Sequence, residues 1–347
     1  MGKSIIRLKD IADRTGFSVN TVSLALRQSP RIPEETAQLI REAAEALNYL
    51  PNQVAKSLVS RETKTIGLVL TDITIPTLTR TAQAMELALA ERGYSTLFAT
   101  SNNDPAEERR VIEMFRSRQV DGMLIYPHRH RELDHIHKLR RANYPIVLLV
   151  GDPSAGIDAV CIDEFDGAFR AVQHLTEMGH VRIGILDSSN PIGNSEKLEG
   201  YVKALSDADI AFDASLFVDP QGHSVIRGFW AMDTLMSKPD RPTAVFCAND
   251  SLALGALRWT QKHGLRVPDE IAIIGFDNIE FAEHAATPIS SVHYDVQMVT
   301  DLAVDRLVGL IKAGDKLPAP RVTMIEPSII VRESTNGRVV QRSGRAL

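Results

Sequence analysis

Apolar positions recur with helical spacing from the start of the chain. Lys9 to Thr15 puts Ile11 and Ala12 on one face, and Gly16 ends the helix because glycine tolerates the positive φ that a helix C-terminus commonly needs. Ser18 can cap a second helix, Val19 to Leu26, through its hydroxyl. In that helix Val22, Ala25 and Leu26 fall at the i, i+3, i+4 spacing of a buried face. Asn20, Thr21, Ser23, Leu24 and Arg27 occupy the opposite face. A third helix follows: Pro33 is acceptable in a first turn, Glu34 and Glu35 suit the dipole there, and Ala37, Ile40, Ala44 and Leu47 form an apolar stripe. Residues 8–48 thus read as a compact three-helix unit. Its first two helices, LKDIADRTGFSVNTVSLAL, have the form of a helix-turn-helix whose outer face suits base edges and phosphates. An ordinary helical hairpin would share the spacing.

The stretch NYLPNQVAKSLVSRETKT comes next, with Pro51 to Leu58 as a short helix candidate. A helix this short is marginal in water, so it is expected to order only on a surface that it packs against. From Ile66 the pattern changes to short β-rich runs. TIGLVL, YSTLFAT, DGMLIYP and PIVLLV are separated by helices near Leu78–Glu91, Ala106–Arg118 and Leu133–Ala142, and AVCID follows. After a helix at Phe165–Met178 the alternation restarts: RIGILD, a helix near Glu196–Ser206, a strand around Leu216–Val218 and a helix near Ile226–Met236. TAVFCAN, the helix Ser251–His263 and EIAIIGFD complete it. Strands alternating with helices give parallel sheets with right-handed crossovers. Two successive sets predict two similar α/β lobes with a ligand cleft between them. The final TNGRVVQRSGRAL is expected to be a loosely ordered tail.

Composition adds the compartment and a charge asymmetry. At 347 residues the chain exceeds one typical domain, and no apolar run approaches the length of a membrane helix. MGKSIIRLKD lacks the apolar core of a secretory signal, and Cys161 and Cys247 lie inside strand-like runs, as buried thiols would. A cytoplasmic chain is expected. The net charge of −5 conceals a basic start: residues 1–64 hold 10 Lys and Arg against 7 Asp and Glu, and the remainder holds 29 against 37. A basic headpiece on an acidic body suits a protein that holds DNA at one end.

The order of these parts resembles the lactose-repressor (LacI/GalR) family of bacterial transcription regulators. LKDIADRTGFSVNTVS, EALNYLPNQVAKSL, IGLV, RRVIEMFRSRQVDGMLI, LTEMGHVRIGIL, PTAVFCANDSLALGAL and GLRVPDEIAIIGFDN carry the resemblance in sequence over nearly the whole chain. It implies an all-α helix-turn-helix headpiece on an α/β, periplasmic-binding-protein-like core of two doubly wound parallel-sheet lobes. It further implies a homodimer on a pseudo-palindromic operator, with a small effector between the lobes. The expected bounds are 1–50 for the headpiece, 51–64 for a hinge helix and linker, 65–163 with 291–322 for one lobe, 164–290 with 323–334 for the other, and 335–347 for the tail.

The resemblance also assigns residues. Ser18, Asn20, Thr21 and Ser23 match positions that touch phosphates or base edges, Val19 presents an apolar surface, and Arg27 lies on the same face. Leu24 departs from a frequent arginine, so the half-site is expected to lack the guanine preference such an arginine imposes. Arg7 and Pro33 stand where threonine and serine caps are common; Arg7 can still meet a phosphate by charge. In the hinge, Asn52, Ala55 and Leu58 match a minor-groove helix, and paired Leu58 side chains would wedge open a central base step, easiest at CG. In the cleft, Leu78, His128, Lys197, His223, Asn249 and Asp277 match lining positions, with Asp72 and Ser195 nearby. ITIPTLTR replaces a frequent loop bearing aromatic rings, Lys197 replaces arginine, Val150 stands where aspartate is frequent and Glu164 where asparagine is frequent. These departures make a neutral sugar less secure as the ligand, so the effector is expected to be a sugar or another metabolite, with an acidic or phosphorylated one suited to Lys197, His128 and His223.

Other features are weighed against this reading. YPHRHRELDHIH invites a metal site, but no cysteine or clear carboxylate partner completes a ligand set, so a solvated loop entering a helix is expected, with no metal and no cofactor. No G-x-S-x-G elbow, P-loop or G-x-G-x-x-G occurs, and no catalytic constellation stands out. A solute-binding protein and a two-lobed enzyme remain as rival readings. QRSGRAL offers no leucine heptad for a tetramer, so a dimer is expected.

Overall fold

A computed structural model describes residues 6–50, 62–150 and 155–336. The chain divides into two compact units, one ending at Thr63 and the other starting at Lys64.

The first unit holds α1 (Leu8–Thr15), α2 (Val19–Leu26) and α3 (Glu34–Ala46). Gly16 takes a left-handed φ of 74° and donates its N–H to the Ala12 carbonyl at 2.9 Å, which turns the chain toward α2. The Ser18 hydroxyl accepts the Thr21 N–H at 3.1 Å and lies 2.8 Å from the Thr21 hydroxyl, capping α2 as its sequence implies. Neither Arg7 nor Pro33 caps with its side chain; instead the Asp10 carboxylate accepts the Arg7 backbone N–H at 2.7 Å. Ile11, Ala12, Val22, Ala25, Ala37, Ile40 and Ala44 close the core, with Phe17, Leu26, Leu47 and Tyr49 packed against it.

The second unit contains two six-stranded sheets. The first has β1 (Thr65–Leu70), β2 (Ser95–Thr100), β3 (Gly122–Ile125), β4 (Ile146–Leu148), β5 (Ala159–Ile162) and β11 (Val322–Ile325). Their order is β11-β5-β4-β3-β1-β2 and every pair is parallel. The second has β6 (Ile183–Leu186), β7 (Phe217–Val218), β8 (Ala244–Cys247), β9 (Ala272–Phe276), β10 (Ser290–His293) and β12 (Ser328–Ile330). Its order is β12-β10-β9-β8-β6-β7, parallel except for the β10–β12 pair. The strands read as continuous apolar runs because helices cover both faces, the arrangement parallel sheets require. Cys161 and Cys247 are free and buried within β5 and β8.

Three expectations are corrected. β10 pairs with β9, and β11 pairs with β5, so the chain crosses between lobes at 294–295 and at 326–327, about three residues later than the bounds at 290/291 and 322/323. β10, β11 and β12 are short, and the last two are only partly buried, so no apolar run announces them. The tail also begins later than 335. Ser334 and Thr335 are fully buried: the Ser334 hydroxyl donates to the Ile273 carbonyl at 2.6 Å, and the Thr335 hydroxyl lies 2.7 Å from that of Ser290.

Candidate nucleic-acid interface and ligand cleft

The outer face of α2 is built as its periodicity implies. Val22 and Ala25 are buried, whereas Ser18, Val19, Asn20 and Arg27 are exposed, and Thr21, Ser23 and Leu24 are half-exposed. Arg7 is exposed just before α1. One short helix therefore presents hydroxyls, an amide, a guanidinium and two apolar side chains on a single surface of major-groove scale. Asn52, Ala55 and Leu58 lie outside the described residues.

The cleft of the second unit lies at the carboxyl ends of the parallel strands, where loops leave the sheet and side chains converge. Thr71 follows β1, Tyr126 and His128 follow β3, Asp187 follows β6, Asn249 follows β8, Asp277 follows β9 and Tyr294 follows β10. Of the residues expected there, Leu78, His128, Lys197, His223, Asn249 and Asp277 line the cleft. Asp72 and Ser195 do not. The Asp72 carboxylate closes a local turn by accepting the Thr74 N–H and hydroxyl, both at 2.8 Å, and the Ser195 hydroxyl donates to Glu199 at 2.5 Å. Asn249 lines the cleft with part of its capacity spent. Its oxygen caps the helix Asp250–Lys262 by accepting the Leu252 N–H at 2.9 Å, and its nitrogen lies 3.3 Å from His223 Nδ1.

Sequence reasoning missed the partners of these groups. Lys197 donates to Glu164 Oε1 at 2.8 Å, and its ammonium lies 4.6 Å from the centre of the Phe276 ring. Burial opposes its charge, but Glu164 and Asp277 reverse that and hold Lys197 protonated above its ordinary pKa. Asp277 is pushed up to about 7, chiefly by burial, with Lys197 opposing the rise. Its Oδ1 accepts the Tyr294 hydroxyl at 3.2 Å, and that hydroxyl is 2.9 Å from Thr77 in the other lobe. Burial lowers the pKa of both His128 and His223, so neither adds a cation at neutral pH. Asp187 is fully buried and raised by burial; its Oδ1 takes the Ser189 N–H at 2.8 Å, and its Oδ2 has no hydrogen-bond partner among the described residues. A carboxylate directly after the run RIGIL was a legible signal for a strand-end site, and Asp187 could have been found by it.

Polar contacts also join the lobes across the cleft mouth. The Asn194 side chain accepts the His130 N–H at 2.9 Å and donates to the His128 carbonyl at 3.2 Å. Arg80 donates to the carbonyls of Asp277 and Asn278 at 3.3 and 3.4 Å. The histidine run, expected to lack carboxylate partners, has them: potential donor atoms of His130, Glu164 and Glu196 lie within 4.8 Å of one another. Lys197 already balances Glu164, and Arg131 stands 3.7 Å from Glu196, so the group is charge-compensated by side chains.

Comparison with known proteins agrees with both halves of this description. Residues 7–52 match the bacterial regulatory proteins of the lacI family, and residues 172–335 match a periplasmic binding protein-like domain. The chain is 32% identical over 331 residues to the HTH-type transcriptional repressor PurR of Mannheimia succiniciproducens, covering 94% of this chain and 98% of that one. It is similar to the lac repressor dimer bound to operator and an anti-inducer, with a TM-score of 0.85, 25% identity and coverage of 95% and 99%. It is also similar to the transcriptional regulator CelR in complex with cellobiose, with a TM-score of 0.70, 29% identity and the same coverage. A surface-exposed recognition helix, a two-lobed core and this likeness along nearly the full length lead to one assignment: the chain belongs to the LacI/GalR family of DNA-binding transcription regulators.

Proposed function

We propose that the chain is a cytoplasmic repressor that binds a pseudo-palindromic operator as a homodimer and is controlled by a small-molecule effector in the interlobe cleft. The observation that carries the reading is the pairing of two features in one chain: an outer α2 face free for a major groove, and a cleft lined from both lobes. α2 reads base edges through Val19, Asn20, Thr21, Ser23 and Leu24, while Arg7, Ser18 and Arg27 meet the backbone. Residues 51–64 act as the hinge, with Asn52, Ala55 and Leu58 in the minor groove and Leu58 wedging a central CG step. Exposed Ile226 and Trp230, one helical turn apart on Val225–Met236, support a surface that a second copy covers. The solved relatives bound to operator and to cellobiose support the DNA and effector roles.

An in vitro DNA-binding selection on the full-length protein, with and without a pooled metabolite extract, tests the proposal. A palindrome with central CG enriched without extract supports a repressor released by its effector. Enrichment only with extract means a corepressor. No enrichment in either case overturns the reading, and light scattering that finds a stable tetramer overturns the dimer.

A further inference from the structure

The charge inside the cleft identifies what it can hold. Lys197 is the one Lys or Arg among the described lining residues, and it is engaged by Glu164 at 2.8 Å with its ammonium over Phe276. The sequence-based expectation of an acidic or phosphorylated ligand weighed Lys197 without that partner. An anion entering here would have to strip Lys197 from Glu164, leaving a buried carboxylate unpaired, and would face Asp187 and Asp277 besides. Lys197 acts on those two carboxylates as well as on Glu164, so the described lining sets three carboxylates against one ammonium. Asp187 is fully buried and its Oδ2 has no hydrogen-bond partner among the described residues, while Asp277 accepts the Tyr294 hydroxyl on Oδ1. A neutral polyol could donate hydrogen bonds to both but brings no positive charge, so by displacing water it would push both carboxyls further toward their protonated forms.

We infer that the cleft takes a small metabolite carrying a protonated nitrogen, with Asp187 and Asp277 as the carboxylates that receive it. This rests on the reading of the cleft as the effector site. A cation supplies hydrogen-bond donors and the missing positive charge together, the strong form of recognition for a buried carboxylate. Asp277 faces Lys197, Glu164, Tyr294 and Arg80, and it also interacts with Asp250 and Tyr126. With its pKa at about 7, its ionised fraction rises from about a tenth at pH 6 to about nine tenths at pH 8. A cationic ligand therefore binds about tenfold more tightly at pH 8 than at pH 6, whereas an anionic one would show the reverse.

The test is thermal unfolding of the full-length protein with a metabolite extract separated by ion exchange into cation-retained, neutral and anion-retained fractions. The cation-retained fraction is expected to raise the melting midpoint by several degrees, more at pH 8 than at pH 6. Asp187→Asn, if folded by circular dichroism, is expected to lose that rise. The pH comparison on the unmodified protein stands if the variant does not fold. A rise confined to the neutral or anion-retained fraction overturns the inference and leaves the effector reading intact. No rise with any fraction overturns both.

Discussion

At the scale of single residues, the largest effects come from charges whose partners fix a buried position. Asp158 is fully buried in the first lobe, where it is paired with Arg306 (Nε at 2.6 Å) and Arg140 (Nε at 3.2 Å) and accepts the Arg321 N–H at 3.0 Å. It ties the helices Asp134–Arg141 and Val296–Ala313 to the start of β5. Asp158→Ala leaves two guanidinium groups facing each other and should cost about 3–5 kcal/mol, read from urea unfolding. Leu24 is a residue of the opposite kind. It stands on the half-exposed side of α2, outside the headpiece core, so its replacement changes recognition more than folding. Leu24→Arg should create a guanine preference of about 1–3 kcal/mol in the binding selection, with the melting midpoint held. A midpoint that falls, with no new guanine, would mean that Leu24 packs instead of reading DNA.

At the scale of elements, the helix pairs that flank the second sheet depend on close backbone approach. A Cβ on Gly255 would stand 2.1 Å from the Val225 carbonyl oxygen, and one on Gly228 would stand 2.3 Å from that of Leu252. The helices Val225–Met236 and Asp250–Lys262 therefore touch along their backbones with nothing flexible between them. Gly255→Ala must push them apart, at about 1–3 kcal/mol in unfolding. Since Asn249 caps the second helix and His223 lies just before the first, effector response should weaken too. A fully stable Gly255→Ala protein would show that the pair yields without strain. Such glycines were visible in the sequence but not their necessity. Helical periodicity shows which face is buried, and the identity of the backbone opposite it comes from residues some 25 positions away.

At the scale of the molecule, polar contacts join the two lobes, those of Arg80 and Arg131 among them. Asn194 from one lobe bonds the backbone of His128 and His130 in the other. Tyr294, on a crossing strand connection, joins Thr77 on one side to Asp277 on the other. These contacts favour a closed cleft, so a ligand that binds the closed form gains whatever they contribute. Asn194→Ala removes both bonds and should weaken binding of the active metabolite fraction by about tenfold, measured by titration calorimetry. Unchanged affinity would mean that closure does not pass through Asn194.

The sequence by itself determined the three-helix headpiece and the α/β alternation, and the family resemblance pointed to six residues that line the cleft. The headpiece and the alternation follow from chemistry within a few residues: a glycine that takes a left-handed turn, a serine that caps, an apolar run that ends in a polar loop. Tertiary structure decided the rest. Lys197 and Glu164 are 33 positions apart, and only packing converts an apparent cationic pole into a neutral pair. The same holds for the late lobe crossings and for the burial of Ser334 and Thr335, both fixed by strand pairing with distant segments. Local periodicity positions a side chain on its own element. Its charge, its partners and its pKa belong to whatever the fold sets opposite it.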